Sequence, residues 1–223
     1  MPSKNRLKTY IENGFYHLYN RGVAKQKIFL DNQDYNVFVK YLQEGLTTPK
    51  QGKIKFSIRG RSFKATPRVP KNFEREIILI AYCLMPNHFH ILIQQRSKNS
   101  MESFMRSLIT RYASFFNKKY ERVGPVFQGR YKSALILKDE HLLHLSRYIH
   151  LNPKEYKDNL IEAHSSYAEY LDLRKTPWVK SDLIQKFFHT PIIDEIRKFN
   201  NYKDFVEKYS IDSTNVLAKL TID

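Results

Sequence analysis

Two rhythms of apolar positions run along the chain. A period of two, the mark of a strand whose alternate side chains face opposite sides, governs Phe15-Tyr16-His17-Leu18-Tyr19-Asn20-Arg21-Gly22, Ile54-Lys55-Phe56-Ser57-Ile58 and the run from His88 to Gln95. In the first of these, His17 and Tyr19 share a face. Spacings of three and four mark helices, with Phe38, Tyr41 and Leu42 on one stripe. Phe104, Met105, Leu108, Ile109, Tyr112, Phe115 and Phe116 form a second, and Leu142, Leu145 and Ile149 a third. Ile77 to Leu84 is apolar on both faces, which predicts a central strand. Val126 to Leu137 is a further strand candidate, with Gln128, Arg130 and Lys132 at period two on one face. The punctuation agrees. Asp31 can cap the first helix, with Phe29 closing a hydrophobic staple. Met85-Pro86-Asn87 turns the chain into an antiparallel hairpin, and Ser100 caps a long helix. Val123-Gly124-Pro125 breaks the chain, Lys138-Asp139-Glu140 opens another helix, and Asn152-Pro153 closes it.

Charge changes the picture from fold to partner. The 223 residues include 38 Lys and Arg against 22 Asp and Glu, a net charge of +16. Such an excess predicts a polyanion, and nucleic acid before a membrane surface, because no long amphipathic basic helix is present. The excess is concentrated between Thr47 and Phe73, which holds eight cations (Lys50, Lys53, Lys55, Arg59, Arg61, Lys64, Arg68, Lys71) and no acidic residue. Phe56, Phe63 and Phe73 interleave with them. The stretch reads as either a solvated insertion or a phosphate-tracking arm with stacking positions. Arg106, Arg111, Lys118 and Lys119 lie largely outside the long helix's apolar stripe and are open to phosphate. The single cysteine, Cys83, excludes an intramolecular disulfide and fits a reducing compartment. No apolar signal-like core begins the chain and no run approaches membrane-spanning length, so a cytoplasmic protein is expected.

Candidate chemistry begins at His88-Phe89-His90. On a strand the two imidazoles project from one side, while Phe89, Ile91 and Ile93 project from the other. Alone, such a pair reads as two ordinary histidines on a polar face before it reads as two ligands of one metal ion. Some sixty residues later, Tyr148 and Asn152 stand one helical turn apart, in line with His141, His144 and Leu151 and beside a core-packing stripe.

Taken together, these segments resemble the HUH single-tyrosine transposases of bacterial insertion sequences, and particularly the REP-associated tyrosine transposases. The segments that carry the resemblance are Tyr16 to Phe29 (Tyr-His-x-x-x-Arg-Gly, then Ile-Phe), Leu84 to His90, Gly124 to Lys132, and Tyr148-Ile149-His150-Leu151-Asn152-Pro153. They follow the family's order across roughly residues 10 to 170. The resemblance implies that His88, His90 and Asn152 bind a divalent metal, Mg2+ or Mn2+, and that Tyr148 is the nucleophile. It implies cleavage and rejoining of single-stranded DNA, at a folded hairpin, through a 5′-phosphotyrosine intermediate. Candidate nucleic-acid contacts are Arg21, Lys55, Arg59, Arg61, Lys64, Arg111, Gln128, Arg130 and Lys132. The expected fold is α+β: a ferredoxin-like antiparallel sheet with helices on one face and the histidines on the other. Residues 1–170 form that domain, with the basic insertion at about 47–73, and residues 171–223 form a C-terminal helical extension. Two rival readings are a DNA- or RNA-binding protein without catalysis and a metal-dependent single-strand nuclease that uses water. The oligomeric state, monomer or homodimer, is left open.

Overall fold

The computed structural model describes residues 10–48, 54–58, 61–65, 70–189, 193–209 and 217. In chain order the elements are β1 (Phe15–Arg21), α1 (Asn32–Leu46), β2 (Ile54–Ile58), β3 (Arg61–Ala65), β4 (Ile77–Met85), β5 (His88–Gln95), α2 (Ser100–Lys119), β6 (Lys132–Ile136) and α3 (Asp139–Leu151). Among the described residues the short α-helices α4 (Tyr167–Tyr170), α5 (Asp182–His189) and α6 (Tyr202–Lys208) follow. One sheet carries β4-β5-β1-β6 in that order, with every neighbouring pair antiparallel. The βαββαβ order of the expected α+β fold is therefore present, with β2 and β3 inserted as a separate hairpin in which Ile54 pairs with Ala65.

Local chemistry sets the boundaries. Asp31 and Asp34 form a reciprocal capping box, each accepting from the other's backbone N–H, and this fixes the start of α1. Phe29 stacks on Tyr35 with ring centroids 4.6 Å apart, so the expected staple closes. Asn99, in the left-handed conformation, rather than Ser100, precedes α2. The Ser100 hydroxyl instead donates back to the carbonyl of Ser97.

Two cores flank the sheet. Leu18, Phe89, Ile91 and Ile93 pack against Phe38 and Leu42 of α1 and Phe104, Leu108 and Tyr112 of α2. On the opposite face Cys83, Leu92 and Ile136 pack against Leu142, Leu145 and Ile149 of α3. The face bearing the histidines is thus partly roofed by α3. Phe187, Phe205, Val206 and Leu217 join this second core, so the C-terminal extension shares it with the sheet.

Two strand expectations change. The sequence pattern puts Ile77 to Leu84 in the middle of the sheet, yet β4 is an edge strand. Its apolar faces serve both cores, and later segments cover its outer edge. Leu84 N–H donates to His164 O, Ser166 N–H to Tyr82 O, and Lys180 N–H to Leu79 O, at 2.8–2.9 Å. The strand expected from Val126 begins only at Lys132, because Gly129 takes a left-handed φ of +72° that a strand cannot continue. Residues before it bind the end of β1 and the turn after it instead. Val23 N–H donates to Val126 O, and Gln128 N–H donates to Arg21 O.

Candidate active site

The site forms where β1 and β5 lie side by side beneath α3. Arg21 pairs in register with His88, and Tyr19 pairs with both His90 and Lys132. Residues directly opposite on antiparallel strands share a face. Arg21, Tyr19, His17, His88, His90 and Lys132 therefore occupy one side of the sheet, the side facing α3.

His88 and His90 are neighbours there, with ring centroids 4.9 Å apart. The turn residue Asn87 sends its Nδ2 to Lys25 O at 3.3 Å, which leaves its Oδ1 to accept from His88 Nδ1 at 2.6 Å. An amide oxygen cannot donate, so the proton of a neutral His88 ring sits on Nδ1 and its lone pair on Nε2. His90 is fully buried, and its Nδ1 lies 2.9 Å from Nε2 of His17. Burial, with the neighbouring His17, His88 and Arg21, holds the His90 imidazole well below its usual pKa. The ring is therefore neutral at pH 7, the form that can ligate. Its Nε2 is buried without a hydrogen bond. The Asn152 side chain is close enough to pull the His90 pKa weakly upward but makes no well-formed bond to that atom.

Helix α3 brings the other two residues. Asp139 and Glu140 in its first turn suit the positive end of the helix dipole. Leu142, Leu145 and Ile149 bury one stripe of the helix. Tyr148, half-buried, sets its ring edge-on to His90 with centroids 5.3 Å apart, and edge-on to His17 at 6.3 Å. One turn later Asn152 donates Nδ2 to Tyr148 O at 2.8 Å, so its Oδ1 is the atom left for a ligand. His144, expected on the Tyr148 face, packs instead against Phe205 and Tyr209. Arg147 and His150 also turn inward. Arg147 donates to the carbonyls of Phe205, Val206 and Tyr209, and His150 bonds Tyr202 and Ser166.

The three expected ligands fit a divalent cation on chemical grounds. In each expected ligand a second atom is engaged, turning a lone pair outward: Nε2 of His88, Nε2 of His90 and Oδ1 of Asn152. Among the described residues no three His, Cys, Asp or Glu side chains gather at one point. A metal here therefore depends on an amide oxygen as its third protein donor, a set without thiolate that suits Mg2+ or Mn2+.

The expected nucleic-acid contacts divide. Arg21 and Lys132 lie on the site face, with Lys132 Nζ 5.9 Å from the centre of the Tyr19 ring. Gln128 and Arg130 are exposed in the bend before β6 and not on a strand face. Arg111 is across the sheet on α2, stacked on Tyr41 at 4.0 Å and ion-paired to Glu44. Backbone pairing sets Lys55 opposite Lys64 and places Arg61 at the hairpin end, while Arg59 lies outside the described residues. The strand pattern puts His17 and Tyr19 on one face and gives them no role. Their part depends on which strand lies beside β1, and nothing in one strand's own sequence states that.

Residues 64–152 match the family described as IS200-like transposases. The matched stretch contains His88, His90, Tyr148 and Asn152. A solved structure of a REP-associated tyrosine transposase bound to a REP hairpin is similar in fold, with a TM-score of 0.53 and 10% identity. The similarity covers 80% of this chain and 98% of that one. No curated protein matches. The resemblance to single-tyrosine transposases read from the sequence motifs is borne out by the family match over residues 64–152, and the expected α+β fold by the structural similarity. Among the described residues, no helix is long and apolar enough to cross a membrane.

Proposed function

We propose that the protein is a metal-dependent DNA strand transferase that cuts and rejoins single-stranded DNA through Tyr148. The observation that carries this reading is the edge-on contact of the Tyr148 ring with His90, with Asn152 one turn beyond and His88 on the same face. His88, His90 and Asn152 would hold the divalent ion. When bound, that ion would withdraw charge from the scissile phosphate and orient it for in-line attack. The Tyr148 hydroxyl oxygen forms the new bond to phosphorus, and the bond from phosphorus to the 3′ oxygen breaks. The tyrosine's proton ends, overall, on that leaving oxygen, giving a 5′-phosphotyrosine and a free 3′-hydroxyl. Phosphodiester energy is conserved, so the reverse attack by a 3′-hydroxyl rejoins DNA without ATP. Arg21 and Lys132, flanking the site on the same sheet face, would bind the phosphates on either side. The DNA partner in this reading is a single strand carrying a hairpin, in keeping with the hairpin held by the similar transposase.

Denaturing electrophoresis after incubation with labelled hairpin-bearing DNA and Mn2+ tests this. Wild type should give a slow, protease-sensitive protein–DNA band, and Tyr148→Phe should give none while binding DNA as before. The substitution removes only a hydroxyl and keeps the ring's volume. Cleavage without linkage by the variant would instead establish a hydrolytic enzyme, and no cleavage by wild type would favour a binding protein.

A further inference from the structure

The contact between His17 and His90 has no place in the chemistry above. Both rings are completely buried. They lie nearly parallel, 17° apart with centroids at 5.1 Å, and are joined through His17 Nε2 and His90 Nδ1 at 2.9 Å. Two neutral imidazoles facing each other this way share one proton between those nitrogens, and it can belong to either ring.

The surroundings decide which. If His17 donated, the proton of neutral His90 would sit on Nε2, a buried atom near the Asn152 side chain that makes no well-formed hydrogen bond. That would bury a poorly satisfied N–H, a costly arrangement. If His90 donates from Nδ1, its proton is satisfied by His17, and only a lone pair faces the site from Nε2. The second arrangement is favoured before any ligand is present. It is also the tautomer in which His90 can bind a cation.

His17 is well placed to hold this arrangement. It sits mid-strand on β1, which is paired on both sides, with Leu92 opposite on β5 and Ala134 opposite on β6. Neither edge of its strand is free to shift.

We propose that His17 is a positioning residue for the metal site: it accepts the Nδ1 proton of His90 and so presents the His90 Nε2 lone pair to a divalent cation. This rests on the metal reading above. Partners of this kind, which orient a ligand without touching the metal, typically change affinity by about 10- to 100-fold when removed.

The test uses the full chain and Mn2+ alone, without DNA, in calorimetric titrations of wild type, His17→Phe, His17→Gln and His90→Ala. Phe keeps a ring in the same space but cannot accept a proton, whereas the Gln Oε1 can. His17→Phe should weaken Mn2+ binding by about 10- to 100-fold. His17→Gln should recover most of the loss, and His90→Ala should abolish binding. Wild-type affinity in His17→Phe, with binding lost in His90→Ala, would overturn the inference and leave the metal site standing. Equal weakening by Phe and Gln would reduce His17 to a packing role and also overturn it. No Mn2+ binding by wild type would remove both readings. Imidazole 15N spectra of the metal-free wild type give an answer that needs no variant. His90 should show a protonated Nδ1 and an unprotonated Nε2, and the opposite tautomer would refute the proposal.

Discussion

His150, two residues past the proposed nucleophile, should make the protein's stability depend on pH in a calculable way. It is completely buried on the inner side of α3, with Nδ1 2.7 Å from Tyr202 Oη and Nε2 2.8 Å from Ser166 Oγ. Burial pushes its pKa down to about 3, against about 6.5 for an unfolded histidine. The sign follows from proton counting. Between those values the unfolded chain binds a proton that the folded protein refuses, so acid favours unfolding. The full contribution is present above pH 6.5 and is lost progressively as pH falls towards 3. Each pH unit in that window is worth about 1.4 kcal/mol. Going from about pH 7.5 to about pH 5 should therefore cost about 2 kcal/mol from this residue alone. Other groups titrate in the same range. His90 and His164 are also depressed by burial, and Asp31 is lowered through its bond to Lys119. The His90 shift has the same sign as that of His150, since burial again leads its causes. These contributions cancel when wild type is compared with His150→Gln, whose amide can still bond Tyr202 and Ser166. Urea unfolding of both proteins at several values between about pH 7.5 and about pH 5 is the assay. The wild type should lose about 2 kcal/mol more than the variant across that range, whatever the variant's absolute stability. Parallel pH profiles would refute the argument, because they would mean that folded His150 takes up its proton as readily as the unfolded chain.

Two further substitutions probe the frame around the site. Arg147→Met removes donors to the carbonyls of Phe205, Val206 and Tyr209. It should cost about 3 kcal/mol from buried acceptors left unpaired, or about 6–12 °C in melting temperature for a chain of this size; an unchanged melting curve would contradict it. Gly22→Ala would set a methyl group 2.2 Å from the Gln26 carbonyl oxygen, so the turn after Arg21 must shift at a cost of about 1–3 kcal/mol. Chemical denaturation at neutral pH measures that loss.

Much of the fold is legible in the sequence because its signals are local. The capping box at Asp31, the Pro86-Asn87 turn and the alternation through His88–Gln95 each depend on a few adjacent residues, and the structure has them where the pattern puts them. What escapes depends on residues distant in sequence. The double apolar face of β4 reads the same whether its neighbour is a strand or the segments around Ser166 and Lys180 that cover its edge. The period-two spacing of Gln128, Arg130 and Lys132 looks like a strand until Gly129 takes its left-handed φ, which the side-chain pattern does not encode. The site shows the same division. That His88 and His90 share a face follows from strand period alone. That Tyr148 lies against them depends on how α3 crosses the sheet, and the sequence suggests it only through family resemblance.

The same distinction accounts for the C-terminal extension. In the sequence it is an appendage that no motif explains, yet it contacts α3 on the sides that Tyr148 does not use. Arg147 and His150, which flank Tyr148, both end on residues of α6 or just beyond it, and Ser146 receives a hydrogen bond from Tyr202. A helix that carries a nucleophile gains from such restraint, because attack on phosphorus demands alignment that a loosely held helix would lose for most of its time. The polar groups used for restraint are buried, and their bonds would be costly to leave unmade. Tyr148 itself is left half-buried, so the one side chain proposed to attack DNA stands on the open side of a helix fixed from behind. The extension is thus better understood as the rear support of the proposed site than as a separate module, because its buried bonds end on the helix that carries Tyr148.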